Sequence, residues 1–173
     1  MTPVREAIRR LISDGALVFQ DNRRVSVPTL SPDALEQIVF LRKSIECELA
    51  RRATERVTPA LVSELSEIDA LLDEAISQGD VPDYLAQNYR FHDVLYARAN
   101  APVLAEIASR LWLRFGPSLR VVCGRFGTEN LPDRHKDILT ALARGDAGAV
   151  SVAVAQDIEQ GMEQIAAVLR GTT

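Results

Sequence analysis

The sequence predicts an all-α protein: an antiparallel bundle of about six helices, preceded by one further helix and a β-hairpin. From Ser31 onward, apolar residues recur with the 3.6-residue period of α-helices in six successive segments. Breaks rich in Gly, Pro, Asn and Asp separate these segments. Because the breaks are short and several helices reach about twenty residues, consecutive helices are expected to pack antiparallel.

The chain opens with a basic amphipathic helix. Thr2 is a favourable N-cap residue, Pro3 suits the first helical turn, and Gly15 ends a run of apolar residues at helical spacing. The helix carries Arg5 and Arg9.

A β-hairpin is predicted to follow this helix. Ala16–Phe19 and Val25–Val27 are short β-prone stretches, and the polar segment Gln20–Arg24 forms the turn between them. Arg23 and Arg24 lie at the tip of this hairpin.

A short linker, PTLSP, separates a small N-terminal unit over residues 1–29 from a helical domain over residues 30–173. The six predicted helices of this domain span residues 32–56, 59–78, 82–99, 101–124, 131–144 and 146–169. The pair Gly116-Pro117 falls inside the fourth of them and is expected to bend or break it, because proline removes a helical hydrogen bond.

Composition places the chain among globular proteins. Of its 173 residues, 47% are apolar and 25% are charged, which excludes wholesale disorder. No apolar run approaches a membrane span, and the N-terminus does not have the pattern of a signal peptide. Cys47 and Cys123 lie far apart in helix-like segments, which favours buried thiols in a reducing compartment over a disulfide framework. The sequence therefore predicts a cytoplasmic protein.

Charge is distributed unevenly between the two parts of the chain. The net charge is -4, yet residues 1–30 hold five arginines against three acidic residues. A helix with projecting arginines, followed by a hairpin with arginines at its tip, suits the major groove and the adjacent phosphates of DNA. The alternative is an ordinary helix with a solvated basic face.

Both histidines of the chain lie on apolar stripes. In "QNYRFHDVLY", Asn88 and His92 share a helix face, and His135 leads an apolar stripe in "DRHKDILTAL". Asp157 lies on the apolar face of the last helix. Two imidazoles, a carboxylate and an amide oxygen from three helices would form a candidate site for a divalent transition metal. The alternatives are hydrogen-bonded core histidines and an aspartate paired with a buried arginine.

The stretch "TPVREAIRRLISDGALV" resembles the recognition helix and following strand of winged helix-turn-helix regulators of the GntR family, and the rest of the chain resembles the FadR-type effector domain, or FCD domain. The resemblance implies that Arg5 contacts bases and that Arg9 and the hairpin contact the DNA backbone. The predicted DNA-binding residues are Thr2, Arg5, Arg9, Arg23 and Arg24. In the family two more helices precede the recognition helix, so the chain is expected to be a truncated form that binds operator DNA weakly.

The same resemblance implies a metal site. Metal-binding members carry an aspartate four residues before a first histidine, a second histidine on a later helix and a third on the last helix. Here "NYRFH" places Asn88 at the aspartate position and His92 at the first histidine, "RHKDILTALARGD" places His135 at the second, and "AQDI" places Asp157 at the third. Two ligands match and two are exchanged, so zinc, nickel and manganese all stay candidates.

Small organic acids are the effectors that the resemblance implies. Arg42 in "FLRKSIECELA" matches the "L-R-x-x-x-E" opening of the effector domain and would line the pocket, or else pair with Glu46 on the surface. Arg114 and Arg120 are further candidate contacts for a carboxylate, with a surface position as the alternative. Family membership also implies a homodimer.

These observations predict a ligand-responsive, DNA-binding transcriptional regulator, and not an enzyme. One alternative is a stand-alone sensor or interaction module that does not bind DNA. A metal-dependent enzyme is the other, and it is the weaker one because the sequence has neither an activated nucleophile nor a Gly-rich phosphate loop.

Overall fold

A computed structural model describes residues 2–21, 24–126 and 134–171. Within these ranges the chain forms seven helices and one two-stranded antiparallel sheet, which confirms the predicted all-α bundle with its N-terminal helix and hairpin. The elements are α1 (Thr2–Ser13), β1 (Val18–Phe19), β2 (Val25–Ser26), α2 (Pro32–Thr54), α3 (Pro59–Gln78), α4 (Val81–Ala97), α5 (Pro102–Phe126), α6 (Arg134–Ala143) and α7 (Ala147–Gly171).

Side-chain caps fix where the helices of the bundle begin. Ser31 Oγ accepts a hydrogen bond from the amide of Ala34 at the start of α2, and Thr58 Oγ1 does the same for Leu61 in α3. Such caps satisfy amide groups that have no partner within the helix. At the end of α3, Gly79 adopts a left-handed conformation with φ 67°, which closes the helix at little steric cost.

The bundle is organised around α2 and α7. These two helices pack antiparallel, as shown by the ion pair of Lys43 with Glu159 and the contact of Cys47 with Ser151. In addition, α3 packs along α4, α6 packs along α7, and α5 contacts α2, α4 and α7. The core is aliphatic and aromatic, and its fully buried members include Leu49, Leu65, Phe91, Leu95, Phe115, Leu142 and Ile158.

Of the two predicted effects of Gly116-Pro117, a bend or a break, the break does not occur. Helix α5 continues through this residue as a single α-helix. Leu111, Phe115, Leu119 and Val122 bury one face of α5 along its length. We attribute the continuity to this packing, since tertiary contacts stabilise helices more than local propensity does.

The hairpin is shorter than predicted, with strands of two residues each. Val18 pairs with Ser26, and Phe19 pairs with Val25. Phe19 is 63% exposed, so neither strand has a buried face that would extend the pairing. Helix α1 ends before Gly15, as predicted, and Asp14 at this end lies 3.6 Å from Arg110 of α5.

No helix in the part of the chain that the structure describes combines the length and hydropathy needed to cross a lipid bilayer.

Candidate metal centre

His92 lies on the buried face of α4, where its neighbours are Phe91 and Leu95. Its Nε2 atom is 3.1 Å from Oδ2 of Asp157 on α7. This buried nitrogen has no hydrogen-bond partner among the described residues. A buried polar atom without a partner costs free energy, so Nε2 fits a metal ligand better than it fits a satisfied core histidine.

His135 lies in the first turn of α6 and is also buried. Its Nδ1 atom is 3.3 Å from Oδ1 of Asp69 on α3, and its Nε2 atom is 4.0 Å from Oδ1 of Asp157. The imidazole stacks on Phe91, with ring centroids 4.1 Å apart and an interplanar angle of 15°. Asp69 and Phe91 therefore hold the ring so that its Nε2 edge lies on the side of Asp157.

The structure brings three of the four predicted metal ligands together. One ligand atom from each of His92, His135 and Asp157 lies within 4.8 Å of the other two. Two imidazole nitrogens and a carboxylate oxygen are donors that zinc, nickel and manganese all accept. The residues present thus fit a divalent metal, and three protein ligands leave further coordination positions for water or a small molecule.

Asp157 supplies the negative charge of this cluster. Burial raises its pKa, but the contact with His92 and the electrostatic interactions with His92, His135 and Arg42 outweigh that effect and lower the pKa to about 2. The carboxyl group is therefore ionised at neutral pH, in the form that binds a cation.

Asn88, the fourth predicted ligand, lies one helical turn before His92 on α4. It lines a small cavity of about 30 Å³ together with Arg42 and Asp157. Asn88 is therefore next to the cluster, in the cavity that Asp157 also lines.

Arg42, a predicted effector contact, is buried rather than on the surface. Its Nε atom is 2.6 Å from Oε1 of Glu46, and a second guanidinium nitrogen is 3.0 Å from Oε2. The guanidinium also lies over the ring of Phe115, 4.1 Å from its centroid. Two alternatives were predicted for Arg42, to line the pocket or to pair with Glu46 on the surface. In the structure Arg42 pairs with Glu46 in the interior and also lines the cavity that Asp157 lines.

Arg114 and Arg120 do not line the two cavities beside His92, in agreement with the alternative of a surface position. Both are exposed on α5. The reason is helical phase, since Phe115 and Leu119 point into the bundle. Arg114 directly precedes Phe115 and Arg120 directly follows Leu119, so both arginines point away from the bundle. The side chain of Arg114 instead lies close to Gly15, at the end of α1.

Two contributors to the site were missed in the sequence analysis. Asp69 lies on the buried face of α3 among Leu65, Ile68 and Leu72, and a carboxylate on such a stripe is a detectable signal. Tyr96 follows His92 by one helical turn, and its hydroxyl oxygen is 3.2 Å from Nδ1 of that histidine.

The predicted DNA-binding residues lie in and after α1. Arg5, Arg9 and Arg24 are exposed to solvent. Arg23 and the side chain of Thr2 lie outside the described residues.

Comparison with known proteins identifies the helical domain. The FCD domain family matches residues 37–160. The Escherichia coli K12 protein named HTH-type transcriptional regulator McbR is 35% identical over 119 residues, which cover 69% of this chain and 54% of McbR. The matched region therefore spans about half the length of that relative.

Solved structures give the same result for fold and family. The structure of E. coli McbR/YncC superposes with a TM-score of 0.86 at 30% identity, covering 99% of this chain and 85% of that one. A structure described as a putative transcriptional regulator GntR from Rhodococcus sp. RHA1 superposes with a TM-score of 0.76 at 25% identity, covering 95% and 79%. The chain therefore belongs to the GntR family of transcriptional regulators, in the FadR-like branch that carries an FCD domain.

Proposed function

We propose that this protein is a DNA-binding transcriptional regulator whose helical domain detects a small carboxylate through a divalent metal. His92, His135 and Asp157 would hold the metal. The observation that carries the proposal is the buried Nε2 atom of His92, which lies 3.1 Å from the Asp157 carboxylate without hydrogen-bonding to it. A cation that both groups bind would satisfy this nitrogen.

The chemistry that the metal supplies when bound is Lewis-acid binding of oxygen ligands at positions that the protein leaves open. The protein contributes the orientation of the ligands. Phe91 stacks on His135, and Asp69 contacts Nδ1 of the same ring, so that its other nitrogen faces Asp157. Contacts of this kind raise metal affinity because they fix the tautomer and the ring orientation.

The cavities beside the cluster favour a small ligand. One, of about 120 Å³, is lined by Glu46, Tyr89, His92 and Trp112 among others, and the second is the 30 Å³ cavity with Asn88. Among the described residues that line them, Arg42 is the single lysine or arginine, and Glu46 neutralises its charge. A carboxylate would therefore depend on the metal for charge compensation.

Operator DNA is the proposed macromolecular partner, bound by a homodimer through α1. Arg5 and Arg9 are exposed on this helix, where they can reach base edges and phosphates. Relatives named as HTH-type transcriptional regulators support this role.

Metal binding is tested by titrating the chelator-treated protein with zinc, nickel and manganese in a calorimeter. We expect one ion per chain for at least one metal, and loss of that binding in His135→Ala. Lys136→Ala is the matched control, since Lys136 is the next residue and forms an exposed ion pair with Asp73. Absence of binding by the unsubstituted protein for all three metals would contradict the proposal.

DNA binding is tested by selecting random-sequence duplexes on the protein and measuring the affinity of the enriched sequence. Arg5→Ala is expected to weaken binding to that sequence about 10-fold or more, in line with loss of a base contact. Arg144→Ala, an exposed arginine after α6, is expected to leave the affinity unchanged. Equal affinities for the two variants would remove α1 from the proposed interface.

A further inference from the structure

A chain of buried polar side chains joins α2 to His92, and none of its other members is a proposed metal ligand. Arg42 donates two hydrogen bonds to the carboxylate of Glu46, at 2.6 and 3.0 Å. Tyr96 donates its hydroxyl hydrogen to Oε2 of Glu46 at 2.9 Å. The same hydroxyl oxygen is 3.2 Å from Nδ1 of His92. All four side chains are nearly excluded from water, with exposures of 4 to 6%.

The direction of the hydrogen bonds among these four side chains follows from counting their hydrogens. A tyrosine hydroxyl has one hydrogen to donate. Two acceptors lie within reach of this hydroxyl, Oε2 of Glu46 at 2.9 Å and Nδ1 of His92 at 3.2 Å, and the shorter distance is to Glu46. If the hydrogen pointed to His92, the buried carboxylate of Glu46 would face an oxygen lone pair and lose one of its donors.

The other arrangement, in which the Tyr96 hydrogen points to Glu46, gives each group a hydrogen-bond partner. With the Tyr96 hydrogen on Glu46, the oxygen of Tyr96 can only accept from His92, so Nδ1 of His92 carries a hydrogen. A neutral imidazole carries one hydrogen, and Nε2 is then an unprotonated nitrogen. This is the atom that lies beside Asp157.

We infer that Arg42, Glu46 and Tyr96 form a relay of hydrogen bonds that holds His92 in the tautomer with hydrogen on Nδ1 and thereby presents Nε2 to a metal. The inference rests on the proposed metal site and assigns it three positioning residues. It also gives Arg42 a role other than contact with the effector, since its guanidinium forms a buried ion pair with Glu46.

The tautomer is measurable without any metal. In nitrogen-15 correlation spectra of the imidazole rings, protonated and unprotonated ring nitrogens have distinct shifts. The chain has two histidines, so the spectrum of His135→Asn identifies the signals of His92. In chelator-treated protein at a pH where the rings are neutral, we expect the hydrogen of His92 on Nδ1. In Tyr96→Phe we expect a mixture of tautomers or a shift to Nε2.

The second measurement is zinc affinity by competition with a chromophoric chelator. Loss of a group that orients a metal ligand typically weakens binding about 10- to 100-fold, and we expect Tyr96→Phe to fall in this range. Thr54→Val is the matched control: it also removes one buried hydroxyl, which donates to the backbone oxygen of Ala50 at 2.9 Å, but Thr54 lines neither cavity, so this variant should bind zinc like the unsubstituted protein.

The outcomes separate the relay from the metal site. Zinc binding with His92 protonated on Nε2, or with equal affinity in Tyr96→Phe, would overturn the relay and leave the metal site standing. A protein that binds none of the metals, yet carries the His92 hydrogen on Nδ1 and loses this preference in Tyr96→Phe, would support the relay and contradict the proposed function.

Discussion

Asp69 contacts His135 on the side of the ring opposite Asp157. Its Oδ1 atom is 3.3 Å from Nδ1 of the imidazole, and both side chains are 5% exposed. The contact joins α3 to α6 at the first turn of α6. Both histidines of the cluster thus have Nδ1 next to a polar oxygen, from Asp69 in one case and from Tyr96 in the other. The two Nε2 atoms are left on the side of Asp157.

Replacing Asp69 should therefore weaken metal binding although Asp69 is not a proposed ligand. We expect Asp69→Asn to lower zinc affinity about 10- to 100-fold, because the amide holds the tautomer of His135 less firmly than a carboxylate does. Asp73→Asn, one turn later on α3 and exposed, is the matched control and should keep the original affinity. Equal affinities of the two variants in a chelator competition would show that Asp69 has no part in orienting His135.

The buried pair of Arg42 and Glu46 should dominate the charge contributions to stability. Removing one partner of a buried ion pair leaves an uncompensated charge, so Glu46→Ala is expected to lower the free energy of unfolding by about 3–5 kcal/mol. Glu55→Ala removes an exposed partner of Arg51 and should cost at most about 1 kcal/mol. Urea unfolding in the presence of chelator measures both. A small loss for Glu46→Ala would mean that water reaches the pair.

Phe91 is expected to support both the core and the metal centre. It is fully buried and stacks on His135, so Phe91→Ala should lower the free energy of unfolding by about 3–5 kcal/mol. Phe91→Leu, which retains most of the volume, should cost less and still loosen the imidazole. Phe40, 70% exposed on α2, is the control, and Phe40→Ala should change stability little. Similar losses for the two alanine variants in thermal unfolding would contradict the burial of Phe91.

The bundle could be predicted from the sequence because its signals are local. The 3.6-residue period marks each helix, and Ser31 and Thr58 mark two helix starts by chemistry that acts within one turn. Pro117 does not break α5, because its local effect competes with the burial of α5 along one face, which depends on helices distant in sequence. The hairpin strands were overestimated for a related reason, since Phe19 has no partner surface that extends the pairing.

The residues of the candidate metal centre could be predicted only where the spacing of apolar residues on the same helix indicated that the side chain points inward. His92 and His135 lie on apolar stripes, so their inward orientation followed from spacing. The contact of Asp69 with His135 requires α3 to lie beside α6, and no local pattern contains that information. Arg114 and Arg120 were assigned by residue type, whereas their phase relative to Phe115 places them outside the cavities.

Cys123 should be a slow-reacting thiol. Burial raises its pKa from 9.0 to about 11, because a thiolate is disfavoured where water is excluded. Below pH 9 this shift lowers the thiolate fraction about 100-fold, since each pKa unit is a factor of ten. In a Cys47→Ser variant, alkylation of Cys123 by iodoacetamide at pH 8 should therefore be about 100-fold slower in the folded protein than in guanidinium chloride.

The same shift predicts how stability depends on pH. With a folded-state pKa above the unfolded value, the unfolded chain loses its Cys123 proton first as pH rises. The contribution of this thiol to stability is therefore complete below pH 9 and is lost as the pH increases from 9 towards 11. Cys123→Ala should reduce the loss of stability over this interval, measured by urea unfolding at each pH. Alkylation of folded Cys123 at the unfolded rate, or an unchanged pH dependence in Cys123→Ala, would show that water reaches this face of α5.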